Sequence, residues 1–306
     1  MLQKWYIYSE DSVGMEEGFR MEQIKKIIIT GCNGQLGRAL NKFYGNNTAL
    51  ELINTDVEEL DITDIDKTIE LVESINPYAI INCAAHTGVD ACETQVDSAY
   101  QINAIGPRNL SIAAAQMGAK MVHISTDYVF SGDAKQPYIE FDKTDPQGMY
   151  GKTKLQGEEF VKQFAQKFFI IRTAWLYGDG KNFVKTMLRL SETNEEVKVV
   201  GDQVGSPTSA VELVKIIDQL IWTENYGIFH GTCEGQCSWA EFAEEIFRLA
   251  GKNTKVKKIT TKEYNAPAAR PAYSVLENYM LKLTTDYRAA DWKEAIEEYI
   301  KSGLAG

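Results

Sequence analysis

Tyr150 and Lys154 stand four residues apart at the opening of a helix-like stretch, KTKLQGEEFVKQFA. In a helix, residues i and i+4 share a face one turn apart, so a phenol and an ammonium are held side by side. That pairing suits the reduction of a carbonyl, in which an acid protonates the oxygen as hydride reaches the carbon. An unperturbed phenol has a pKa of ~10. A unit positive charge ~4 Å away at an effective dielectric of ~20 is worth ~4 kcal/mol, or about three pKa units. Lys154 is therefore expected to bring the Tyr150 hydroxyl towards neutrality. Thr126 ends an apolar run 24 residues before Tyr150 and offers a hydroxyl to the same oxygen. Tyr177 and Lys181 repeat the spacing but span Gly-Asp-Gly, where the helical facing argument fails. Taken alone, a tyrosine and a lysine so spaced are more often a helix-start residue beside a solvated charge. The order of the motifs upstream argues for chemistry.

The first of those motifs is Gly31-x-x-Gly34-x-x-Gly37, between an apolar run (KIIIT) and a helical stretch reaching about Tyr44. Glycines there permit a tight turn and let backbone amides approach a pyrophosphate at a helix N-terminus. Asn33, Gln35 and Leu36 complete the dinucleotide loop. Asp56 ends the next strand-like run, where a carboxylate accepts hydrogen bonds from ribose hydroxyls and repels a 2′-phosphate. Arg38 follows the third glycine and offsets that preference, so both NADH and NADPH stay open as the cofactor. Asp61 and Ile62 are placed to flank the adenine, and Ala84, Ala85 and His86 to line the channel on the nicotinamide side.

The elements that must position these groups alternate. Strands are expected at Lys26–Thr30, Leu50–Asp56, Ala79–Ala85, Lys120–Ser125 and Phe168–Thr173. Helices are expected between them, including a long helical region from roughly Val96 to Met117. Near-continuous apolar strands alternating with helices predict α/β architecture, a Rossmann-type doubly wound parallel sheet. The dinucleotide-binding domain is expected over residues 21–175 together with 196–223. A smaller mixed α/β substrate-binding region is expected over 176–195 with 224–306.

The net charge of −11 argues against nucleic acid or an anionic membrane as partner. No run approaches the ~18 apolar residues of a membrane span. Five scattered cysteines read as reduced thiols, which points to the cytoplasm. Cys233 and Cys237 form the one close pair, but no second pair or nearby histidine completes a zinc site, and His86, His123 and His230 are widely separated. Residues 1–20 are read as a leader outside the fold.

Together, Gly31–Gly37, NCAAHT at 82–87, Asn103, STDYVF at 125–130, YGKTK at 150–154 and RTAWLY at 172–177 resemble the extended short-chain dehydrogenase/reductases. Within them the chain is most similar to the dTDP-4-dehydrorhamnose reductases. That likeness continues through DQVGSPT at 202–208 and RPAYSVL at 270–276, and covers about residues 24–300. It implies NAD(P)H-dependent reduction of the 4-keto group of a dTDP-6-deoxyhexulose, with Thr126, Tyr150 and Lys154 as the catalytic set. It also implies that Asp127, Tyr128 and Trp175 contact the sugar and that Arg270 serves the nucleotide end. Relatives that bind magnesium at a dimer contact use acidic residues without a match here, so no metal is expected; a homodimer stays open. Related dehydratases carry two acids after the threonine, whereas Tyr128 follows Asp127 here. A sugar 4-epimerase, or a non-catalytic regulator resembling the methionine adenosyltransferase regulatory subunit, are the other readings.

Overall fold

The structure, a computed structural model, describes residues 24–304; the leader expected over residues 1–20 lies outside the described residues. β1 (Lys25–Thr30) leads into α1 (Gln35–Tyr44), and β2 (Leu50–Thr55) into α2 (Ile65–Ile75). The side chain of Asp64 caps α2 by accepting from the Lys67 N–H, and the helix ends on left-handed Asn76 before Pro77. β3 (Ala79–Asn82) is followed by α3 (Val89–Cys92), α4 (Val96–Tyr100), a π-helical turn over Gln101–Ile105 and α5 (Gly106–Met117). The helical region expected from Val96 to Met117 is thus continuous over those bounds, with the π turn set inside it. β4 (Lys120–Thr126) runs into a 3-10 turn at Asp127–Val129, then α6 (Met149–Phe164) and β5 (Phe168–Thr173).

Next come β6 (Leu176–Tyr177), α7 (Phe183–Ser191), β7 (Glu196–Val200), β8 (Val204–Gly205), β9 (Thr208–Ser209) and α8 (Ala210–Ile221). β10 (Gly227–His230), β11 (Cys237–Ser238), α9 (Trp239–Leu249), β12 (Lys255–Ile259), α10 (Thr261–Tyr264), α11 (Tyr279–Thr284) and α12 (Trp292–Lys301) complete the chain.

Six strands form one parallel sheet in the order β10-β5-β4-β3-β1-β2. Burial explains their composition. Ile27 and Ile29 face α1 and α8 in one core, while Ile28 and Ile80 face the layer of α2, α5 and α6 in another. Strands covered on both faces need apolar residues at every position. A third core beneath α7, α9 and α12 holds the smaller region together, around Phe242, Ile246, Trp292 and Tyr299.

Two strands lie elsewhere than expected. β10 falls in the stretch assigned to the substrate region, yet it pairs with β5 as the sixth strand of the large sheet. β7 falls in the stretch expected to belong to the dinucleotide domain, yet it pairs in parallel with β12, away from that sheet. Its pattern gives the reason: Glu196 and Lys198 are exposed while Val197 and Val199 are buried, the alternation of a strand with one face in water.

Candidate active site

The carboxyl ends of β1, β3, β4 and β5 open into a cleft of about 790 Å³ that reaches to the smaller region. β1 has β2 on one side and β3 on the other, so the chain reverses direction of winding here, where open α/β sheets bind ligands. Gly31 turns with φ +63°, and a Cβ on it would stand 2.7 Å from the Ala84 nitrogen. A Cβ on Gly37 would meet Cys32 Cα at 2.6 Å. Only glycine permits so tight a loop, which leaves the first-turn amides of α1 at the cleft, unpaired within the helix. Asp56 follows β2 directly. Its Oδ2 accepts from the Asn33 N–H at 3.2 Å and its Oδ1 from the Val57 N–H at 2.9 Å, which aims the carboxylate beside the loop. The glycine cradle, the amides and this carboxylate fit a dinucleotide.

At the far wall, Tyr150 and Lys154 project from the first turns of α6 into the same cleft. The i+4 facing holds, but the electrostatics differ from expectation. Lys154 Nζ donates to the Ile124 carbonyl at 2.6 Å. Burial brings this ammonium down to about 8, partly countered by Glu158. The Tyr150 phenol is raised, not lowered: burial dominates and outweighs the lowering influence of the nearby Thr126 hydroxyl, and the Asp127 carboxylate adds to it. Tyr150 therefore stays protonated near neutrality, the form that can give a proton. Thr126 Oγ1 donates to Asp127 Oδ1 at 2.9 Å and accepts from the Tyr128 N–H at 3.2 Å. Burial lifts the Asp127 carboxyl to about 6. The Tyr128 ring meets that of Tyr150 edge-on, centroids 5.4 Å apart.

A buried network braces this wall. Glu158, one turn beyond Lys154, accepts from Arg172 Nε at 2.9 Å and Nη2 at 2.7 Å, and from Ser125 Oγ at 2.5 Å. It ties α6 to β4 and β5 at the residue before Thr126. Asn103, in the π turn, donates to the His86 carbonyl and to Thr153 Oγ1, and accepts from the His86 N–H. A π turn replaces regular helix here and directs Asn103 between the loop after β3 and α6.

The substrate side is aromatic. Trp175 takes a left-handed φ of +49° and stacks on Trp239, with centroids 3.5 Å apart and planes 7° from parallel. Gly205 packs against its indole, where a Cβ would lie 2.5 Å from Cε2. Trp175 is thus packed against both Trp239 and Gly205 and is half-buried. Sequence reading missed Trp239, because a stack between residues 64 positions apart leaves no local signal. Arg38 and Lys181 also line the cleft, and Arg38 Nε lies 3.7 Å from Asp179.

Of the residues singled out from sequence, Gly31, Gly34, Gln35, Leu36, Asp56, Asp61, Ile62, Ala84 and Ala85 come together here with Thr126, Asp127, Tyr128, Tyr150, Lys154 and Trp175. Asn33, Gly37, His86 and Arg270 are not among the residues that line the cleft. The His86 ring turns away to Gln95 Oε1, at 3.1 Å, and to the Cys92 sulfur. Arg270 grips Asp90 through both terminal nitrogens, at 3.1 and 3.0 Å, a link between α3 and the smaller region.

A glycine loop and a Thr–Tyr–Lys set facing each other across one parallel sheet edge define the architecture of an extended short-chain dehydrogenase/reductase. The family model described as "RmlD substrate binding domain" matches residues 25–304. The chain belongs to that family. It is 40% identical to the spore coat polysaccharide biosynthesis protein SpsK of Bacillus subtilis, over 90% of this chain and 97% of that protein. With the dTDP-4-dehydrorhamnose reductase of Aggregatibacter actinomycetemcomitans it shares 38% identity, over 89% of this chain and 97% of the other. Among solved structures, the dTDP-4-dehydrorhamnose reductase of Clostridium acetobutylicum is 56% identical with a TM-score of 0.89, covering 90% of this chain and 99% of its own. The Bacillus anthracis enzyme of that name, solved in complex with NADP, is 45% identical with a TM-score of 0.89, covering 91% and 99%.

Proposed function

We propose that this protein reduces the 4-keto group of a dTDP-6-deoxyhexulose, dTDP-4-dehydrorhamnose, to give dTDP-L-rhamnose, with NADH or NADPH. The observation that carries the reading is the common cleft: the dinucleotide loop and Asp56 form one end of it, and Thr126, Tyr150 and Lys154 the other. The bound dinucleotide supplies the hydride. Tyr150, neutral at working pH, gives its hydroxyl proton to the carbonyl oxygen. Lys154, charged at pH 7 and anchored on the Ile124 carbonyl, puts a cation next to the developing negative charge. The amides of α1 and the cradle of Gly31, Gly34 and Gly37 hold the pyrophosphate. Asp56 holds the adenosine ribose. Tyr128, beside Tyr150, and the Trp175–Trp239 wall shape the sugar end, and Tyr128 stands where a second carboxylate would serve water elimination.

The test mixes purified protein, NADH or NADPH and the 4-keto-hexulose, and follows loss of the reduced nicotinamide absorbance. Oxidation of neither cofactor, with substrate confirmed present, sinks the reading. Tyr150→Phe should lower kcat by about 10²-fold or more while cofactor still binds. An unaffected rate would remove Tyr150 from the chemistry.

A further inference from the structure

We propose that Glu93 is a positioning residue for the reduction: it caps α6 from outside the helix and so fixes where Tyr150 stands. This rests on the reductase reading above and adds to it a residue that does not line the cleft.

The first N–H groups of a helix have no partner within it, and a side chain at the N-cap commonly meets one of them. α6 begins without that help. Its N-cap is Gly148, which has no side chain, and its first turn carries no acidic residue. The bond comes instead from a residue 56 positions away: Glu93 Oε1 accepts from the Met149 N–H at 2.8 Å. Tyr150 is the next residue, so this cap holds the backbone directly before the acid. A Cβ on Gly148 would stand 2.8 Å from the same Glu93 oxygen. Glycine thus leaves the carboxylate the space in which an N-cap side chain would lie. A negative group there also suits the positive end of a helix.

Glu93 is itself held in place. It directly follows α3, and its N–H closes a turn on the Asp90 carbonyl at 3.3 Å. The Asp90 side chain accepts from both terminal nitrogens of Arg270 and from the Ala268 N–H at 3.1 Å. Links from Arg270 to Asp90, Asp90 to Glu93 and Glu93 to Met149 therefore run from the smaller region to the residue before Tyr150. Packing supplies the other restraint on this turn, since a Cβ on Gly151 would stand 2.1 Å from the Tyr128 carbonyl oxygen. The first turn of α6 is stopped at Gly151 and tethered at Met149. Loss of the tether frees the turn that carries Tyr150, and a displacement of ~1 Å is enough to slow a reaction by about 10²-fold. Lys154 keeps its own anchor on the Ile124 carbonyl. The damage then falls on proton transfer and spares the dinucleotide loop, which belongs to α1.

Steady-state rates and cofactor affinities of wild type, Glu93→Gln, Glu93→Ala and the double variant E93A/G148S test the proposal. Alanine removes the acceptor, whereas glutamine keeps one. In E93A kcat should fall about 10- to 100-fold, while Kd for NADH and NADPH stays within about twofold of wild type. The kinetic isotope effect on kcat with deuterated reduced cofactor should rise, because the chemical step now limits turnover. E93Q should stay close to wild type. With the Glu93 side chain gone, a serine at position 148 has room to cap α6 from within, so E93A/G148S should recover most of the lost kcat. Equal kcat in wild type and E93A overturns the proposal, as does an equal loss in E93Q and E93A. An E93A enzyme whose cofactor affinity falls as far as its kcat overturns it too, since Glu93 then supports the cleft at large. So does a double variant as slow as E93A. If E93A does not fold, E93Q and the double variant decide, and slow turnover by either overturns the cap. A wild type that oxidises neither cofactor with substrate present overturns the reductase reading instead.

Discussion

At Tyr150, burial and a neighbouring carboxylate both favour the neutral phenol, whereas at Lys154, one turn on, burial works against the charge. An ammonium ~4 Å away in a medium of moderate dielectric would lower the phenol. Spacing gives the shared face but not where the Nζ points, and the Ile124 carbonyl claims it. Asp127 shows the same weight of burial in a form that can be measured without substrate. Its folded pKa of about 6 lies above the ~3.9 of an unfolded aspartate. The native state therefore favours the protonated form: the contribution to stability is fully present below pH ~4 and is lost as pH rises through about 6. D127N cannot ionise. It should be more stable than wild type at pH 8 by about 1–3 kcal/mol, with the gap closing towards pH 4. Denaturant titrations at both pH values check this, and equal gaps at the two would remove the buried ionisation from Asp127.

At the scale of elements, α6 places Tyr150 and Lys154 only because it lies hard against its neighbours. A Cβ on Gly151 would stand 2.1 Å from the Tyr128 carbonyl oxygen, and one on Gly157 would stand 2.2 Å from that of Asn103. Both obstacles are backbone, which cannot swing aside. Gly157→Ala should cost about 1–3 kcal/mol of stability through overpacking. By moving the helix it should also slow turnover; thermal melts and kcat together check this, and a variant that melts and turns over like wild type would contradict the packing argument. The helix itself was readable from the sequence. Its glycines look like poor helix formers until the tight contacts with Tyr128 and Asn103 are seen. The π turn at Gln101–Ile105 was unreadable for a related reason. The apolar spacing from Val96 to Met117 is that of one helix, and the extra residue per turn is imposed by Asn103 reaching both His86 and Thr153.

Across the whole molecule the cleft joins two cores, one on the α1–α8 face of the large sheet and one beneath α7, α9 and α12. Arg38 with Asp179, and Asp90 with Arg270, span the regions at either side. A dinucleotide that binds only the folded cleft stabilises it by mass action, by about 2.7 kcal/mol at a hundredfold excess over Kd. For a chain of this size that raises Tm by roughly 5 °C. NADH and NADPH titrations followed by thermal melting should each show a rise, and the steeper one identifies the preferred cofactor between Asp56, which disfavours a 2′-phosphate, and Arg38, which favours it. Neither cofactor shifting the melt would contradict the dinucleotide site.

The alternating strands, the glycine loop, the carboxylate at Asp56 and the Thr–Tyr–Lys order were all set by the sequence itself. Each follows from local rules: apolar runs for buried strands, glycine for crowded turns, i+4 spacing for a shared helix face. What required the tertiary structure depends on residues far apart in the chain. The strand Gly227–His230 joins the large sheet and Glu196–Val200 leaves it, because pairing is decided by which edge is free in space. Trp239 covers Trp175, and His86 and Arg270 turn to partners that do not line the cleft. Above all, the protonation states of Asp127, Tyr150 and Lys154 come from burial, a property of the packed molecule that no stretch of sequence carries alone.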